Sequence, residues 1–130
     1  MPFLSKTNVP ESPSFAESTP FEKRKKEAHN IIEKFNGERI PVIVERAKSS
    51  SKTLALLDKK KYLVPSTMTF GQFVLIIRKR IKLAPSQAIF LTVNNVQPPA
   101  TVTMGQLHKE HKDESGFISC LYSNESTYGN

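Results

Sequence analysis

A single cysteine, Cys120, rules out any disulfide closed within the chain. The cross-links that stabilise small secreted domains are therefore excluded, and a reducing compartment is expected. No stretch carries the sustained apolar run that a signal-peptide core or a bilayer span requires. A chain that is soluble when made, and cytoplasmic, is expected. No glycine-rich loop follows a candidate strand, which removes the usual phosphate cradle of nucleotide-binding proteins. Histidines number three, His29, His108 and His111. His108 and His111 stand three apart on a candidate helix, but no cysteine lies near enough to complete a ligand set, so no metal is expected and a solvated helix surface is. Paired carboxylates suited to acid–base chemistry are not recognisable. Neither an enzyme nor a cofactor is expected.

What the chain does contain is enough for one core. Its 130 residues are 38% hydrophobic and 24% charged, the balance of a single packed domain. Lysine and arginine number 19 against 12 acidic residues, a formal net charge of +7. That charge favours an acidic partner: nucleic acid, an anionic membrane or an acidic peptide.

Residues 1–18 are rich in proline, serine and glutamate and lack periodicity, so a flexible tail is expected there. Thr19-Pro20-Phe21-Glu22 reads as an N-cap, a proline at the first helical position and a glutamate in capping-box register. Phe21, Ala28, Ile31, Ile32 and Phe35 then fall near one helical face, with the run Lys23 to Lys26 on the rest, a solvated face or a binding patch. Asn36-Gly37 ends the helix. Arg39–Arg46 is a β-branched strand, and Lys48–Lys52 reads as a hairpin loop. In Asp58 to Pro65, lysines run into apolar residues and a proline stops the segment. This is the signature of an edge strand, with Tyr62 and Val64 on one face and Lys61 and Leu63 on the other. An apolar residue on each side predicts a strand covered on both faces. Thr69 to Gln72 is a second capping box, opening the main core helix through Ile81. Ile89–Val93 is a short strand, and Asn94-Asn95 is a turn that tolerates positive φ. Thr103 to Gln106 is a third capping box, opening a short helix to about His111. Phe117–Tyr122 is the last strand, with Cys120 as a buried thiol.

Helix, strand, strand, helix, strand, short helix and strand make an α+β roll with a mixed sheet. The β-grasp fold of ubiquitin has this order. The additional N-terminal helical segment is expected to cover the sheet face that ubiquitin leaves open. The domain is expected over 19–122, followed by a polar tail at 123–130. That tail ends Tyr128-Gly129-Asn130. Glycine has no Cβ, so a narrow catalytic groove can admit it; its carboxylate could be activated once Asn130 is removed.

Several blocks in one order carry a family resemblance. They include Pro20 to Arg24, Ile40 to Glu45, Asp58 to Pro65, Gly71 to Phe73, Ile77 to Ile81, Val93 to Val96, Thr103 to Leu107 and Glu125 to Gly129. Together they resemble the autophagy ubiquitin-like modifiers, most closely the GABA-receptor-associated-protein subgroup. The resemblance implies cleavage after Gly129 by a cysteine protease, with loss of Asn130. Activating and conjugating enzymes then pass the chain to phosphatidylethanolamine on the autophagosome membrane, where two acyl chains suffice for anchoring. It further implies receptors carrying an acidic aromatic-x-x-aliphatic motif. The aromatic pocket so implied is Glu27, Ile31, Pro41, Ile43, Lys61, Leu63 and Phe117. The aliphatic pocket is Tyr62, Val64, Pro65, Met68, Phe73 and Ile76. Arg39, Lys59, Lys61 and Arg80 would hold the acidic residues. The N-terminal tail is longer than the subgroup's, and Met68 stands where leucine is usual. A monomer in solution is expected. The alternative reading is an unconjugated β-grasp module that binds tubulin, RNA or trafficking partners through its basic helix.

Overall fold

The computed structural model describes residues 14–48 and 54–124. Residues 49–52 of the expected hairpin loop, and Gly129 with the end of the tail, lie outside the described residues.

The first element falls where a tail was expected. Helix α1 (Phe15–Ser18) is capped by Ser14, whose hydroxyl accepts from the Glu17 N–H while Glu17 reaches back to the Ser14 N–H. This reciprocal pair satisfies donors that a short helix leaves open. Thr19 is not the cap of the next helix. Its N–H donates to Phe15 O, so it closes α1 instead. Pro20 takes the cap position of α2 (Phe21–Lys34) with no side-chain hydrogen bond. Asn36 and Gly37, with φ of 53° and 74°, end α2 as expected.

Strands β1 (Arg39–Arg46), β2 (Lys61–Pro65), β3 (Phe90–Val93) and β4 (Ile118–Ser123) form one sheet in the order β2-β1-β4-β3. The central β1–β4 pair is parallel and the two outer pairs are antiparallel, so the sheet is mixed. Strand β4 runs one residue past the expected end, because buried Ser123 pairs with Phe90. Alternation sorts β1 between two layers. Ile40, Val42 and Val44 enter the main core with Phe73, Ile77, Met104 and Leu107; Ile43 joins Ala28 and Phe117 on the opposite face.

The main core is covered by α3 (Phe70–Arg80) and α4 (Met104–His111). Their N-termini are tied together. Phe70 and Gly71 donate to Val102 O and Ala100 O, and Met104 and Gly105 donate to Met68 O and Ser66 O. A Cβ at Gly71 or Gly105 would sit 3.1 Å from the Cβ of Ala100 or Ser66, so both positions suit glycine at this close approach. Thr69 and Gln72 complete the expected capping box. Thr103 caps α4 through the Gln106 N–H, but the Gln106 side chain turns to Glu110 at 2.6 Å, so the reciprocal half is missing. Thr69→Ala removes the acceptor for Gln72 and should lower stability by about 1 kcal/mol. A urea unfolding curve superimposable on the parent's would show the cap contributes nothing.

Candidate functional site, a lysine-rimmed groove beside an edge strand

Strand β2 has a sheet neighbour on one side among the described residues. Every second residue of such a strand directs its N–H and C=O away from the sheet, where another extended chain can pair. Tyr62 and Val64 are buried toward α3. Leu63 on the other face is 40% exposed. The expectation of a strand covered on both faces is corrected here. Helix α2 packs over β1 and leaves a groove between itself and β2, whereas a covering helix would have closed it.

That groove encloses about 600 Å³. Its apolar lining comes from Ile31 on α2, Phe35 at the C-cap of α2 and Leu63 on β2, and Lys23, Lys26, Lys34 and Lys61 rim it, with Glu27 and Asn30. The α2 residues recur at intervals of three and four, one helical stripe. Lys61 donates to Glu27 across the groove at 2.9 Å. Both side chains remain partly exposed, so this pair contributes little to folding and can open to a ligand.

Of the residues implied for the aromatic pocket, Glu27, Ile31, Lys61 and Leu63 line the groove. Pro41, Ile43 and Phe117 are buried instead. Ile43 and Phe117 form a small cluster with Ala28, and Phe15 of α1 packs against it. The sequence sign for Phe15 was the Ser14-x-x-Glu17 capping-box spacing that opens its helix. Lys23, Lys26, Asn30, Lys34 and Phe35 were also missed as groove residues, although their helical spacing with Glu27 and Ile31 was a usable sign. Of the basic run, Lys23 and Lys26 are exposed to solvent and also rim the groove.

The residues implied for the aliphatic pocket gather between β2 and α3. Tyr62 stacks edge-on against Phe73 with ring centroids 5.9 Å apart. Val64 and Phe73 are core residues, while Met68 and Ile76 are half-buried and Pro65 is exposed. The implied basic contacts divide into two places. Lys59 Nζ and Arg80 lie 5.3 and 5.7 Å from the Tyr62 ring centroid, the range of cation–π attraction. Arg80 also donates to Asp58 at 3.1 Å. That hydrogen bond raises the guanidinium pKa further, so it stays charged. Arg39 lies over Phe35 at 5.9 Å, beside the groove. Burial raises the Tyr62 phenol pKa, so the group stays neutral at ordinary pH.

Two sequence readings concern reactive groups. Cys120 is buried, and burial pushes its thiol up to about 12, so it remains protonated and unreactive at neutral pH. His108, expected on solvated helix surface, is half-buried. Its Nε2 donates to Gly116 O at 2.8 Å, and burial lowers its pKa despite that bond. Among the described residues no three His, Cys, Asp or Glu side chains converge as a metal site. Nor is any helix there long and apolar enough to cross a membrane.

A four-stranded mixed sheet crossed by α3, with β1 and β4 parallel at its centre, is the ubiquitin-like roll. The second helical layer at the N-terminus distinguishes this chain within that class. The family model described as "Autophagy protein Atg8 ubiquitin like" matches residues 23–129. The chain is 53% identical over 115 residues to autophagy-related protein 8 of Cochliobolus heterostrophus, covering 88% of this chain and 94% of that protein. It is 52% identical over 116 residues to autophagy-related protein 8 of Coccidioides immitis, covering 89% and 97%. For the Neurospora crassa protein of the same name the identity is 52%, covering 88% and 93%. The chain therefore belongs to the Atg8 family of ubiquitin-like autophagy proteins.

Proposed function

We propose that this chain is a non-enzymatic ubiquitin-like modifier, cleaved after Gly129 and conjugated through that residue to phosphatidylethanolamine. On the autophagosome membrane it then recruits receptors bearing an acidic aromatic-x-x-aliphatic motif. The observation that carries the receptor-binding part is the outer edge of β2, which no strand among the described residues pairs, beside the lysine-rimmed groove. An extended peptide can add to that edge by main-chain hydrogen bonds while its side chains enter flanking pockets. Positive rims at Lys23, Lys26, Lys34 and Lys61 favour acidic residues in the same peptide. Family membership supports the conjugation part, and Gly129 falls inside the matched residues.

The test combines the chain with a family protease, activating and conjugating enzymes and phosphatidylethanolamine vesicles. A gel-shifted product that floats with the vesicles, is released by detergent and requires Gly129 supports conjugation. A chain that binds receptor peptides but never shifts is an unconjugated module. Peptide association should also slow as salt is raised, since exposed charges are screened over about 10 Å at 0.1 M. A salt-independent stopped-flow association rate would remove the lysine rim from the encounter step.

A further inference from the structure

The sulfur atoms of this chain differ sharply in their access to solvent. Of the three methionines, Met68 and Met104 lie among the described residues. Met104 is 0% exposed in the main core. Cys120 is buried as well, and burial pushes its thiol up to about 12, so no reactive thiolate competes for an oxidant at neutral pH. Met68 is half-buried and packs at the margin of the main core, not inside it. It lies between the end of β2 at Pro65 and the Thr69 cap of α3, with the residues implied for the aliphatic pocket. Leucine, usual at this position, has no sulfur to oxidise. We propose that Met68 is a reversible oxidation site, and that its sulfoxide weakens docking of the peptide's aliphatic anchor. This rests on the peptide-docking reading above and adds its regulation.

The oxidant is hydrogen peroxide or an organic hydroperoxide. The Met68 sulfur attacks one peroxide oxygen with a lone pair, an S–O bond forms and the O–O bond breaks. With hydrogen peroxide the second oxygen leaves as water, so sulfur loses two electrons and the peroxide gains them. The product is a polar sulfoxide that methionine sulfoxide reductases return to the thioether.

The consequence for binding differs from that for folding. The Met68 N–H donates to Pro65 O at 3.1 Å, and Met68 O accepts from the Met104 N–H at 2.7 Å. These backbone bonds do not involve the sulfur and survive its oxidation. In the free protein the new oxygen can turn toward water from a half-buried side chain. A docked aliphatic side chain covers that surface and strips the water away, leaving a polar oxygen against an apolar contact.

The full-length protein is treated with hydrogen peroxide, desalted and titrated by calorimetry. The probe is a synthetic acidic peptide with phenylalanine and leucine anchors and no methionine or cysteine. Peptide mapping should find the added oxygen on Met68 before Met104. Affinity should fall about tenfold, the loss expected for an unpartnered oxygen in an apolar contact. Methionine sulfoxide reductases should restore it. Met68→Leu keeps Met1 and Met104, and its affinity should not respond to peroxide. Oxidation of Met104 ahead of Met68 in the folded protein overturns the site. A loss of affinity that also appears in Met68→Leu, or that comes with loss of the circular dichroism spectrum, overturns the switch. Oxidised Met68 with parent-like affinity, while Leu63→Ala still weakens binding, overturns the switch and leaves the docking reading standing. Binding unchanged by oxidation and by Leu63→Ala overturns both.

Discussion

Leu63→Ala should weaken binding of an acidic aromatic-x-x-aliphatic peptide by about 1–3 kcal/mol, the range of an interface hot spot, with the fold retained. Leu63 is the exposed apolar residue of the edge strand and forms the β2 side of the groove. Truncating it removes contact area from the peptide and leaves no polar group unpaired. Because it lies outside the main core cluster, little folding free energy goes with it. Its strand neighbours Tyr62 and Val64 make a useful contrast. They are buried against α3, so alanine there would confound binding with unfolding. Lys61→Ala should cost less than Leu63→Ala, since its ammonium is half exposed and paired with Glu27. Calorimetry on folded variants decides the matter. Parent-like affinity in Leu63→Ala would mean that the peptide docks elsewhere.

Gly129→Ala should abolish both cleavage and lipid attachment, the largest effect of any single substitution proposed for this chain. A methyl group at the scissile position occupies space that a narrow catalytic groove reserves for a hydrogen. Gly129 follows the last strand in the sequence, and circular dichroism and melting temperature should match the parent. Removal of Asn130 alone should bypass the protease yet still require the activating and conjugating enzymes. A normal lipidated band from Gly129→Ala would mean that attachment uses another residue.

Much of the framework was legible because its signals are local. The Thr69/Gln72 box, the Asn36-Gly37 stop and the Asn94-Asn95 turn each depend on a few adjacent residues. The structure shows them as read, with φ of 53° and 63° at the asparagine pair. The misreadings arose where two local solutions competed. Thr19 could cap α2 or close α1, and the capping box at Ser14 decided for α1. At Thr103 the cap formed, but Gln106 found Glu110 one turn ahead.

By itself, the sequence determined the order of elements from α2 onward, the alternation that buries Tyr62 and Val64, the edge character of β2 and the single buried thiol. These follow from period-two and period-3.6 patterning and from capping chemistry, which act within one or two turns of chain. Only the tertiary structure decided which face of α2 turns toward β2 across a gap, so that the exposed Lys23 and Lys26 rim a groove. It also decided that Ile43 and Phe117 lie beneath Phe15. Those contacts join residues far apart in the chain, such as Phe15 and Phe117, and depend on how whole elements pack. Local pattern supplies the faces of each element; packing of the whole chain settles which faces meet and where a gap is left between them.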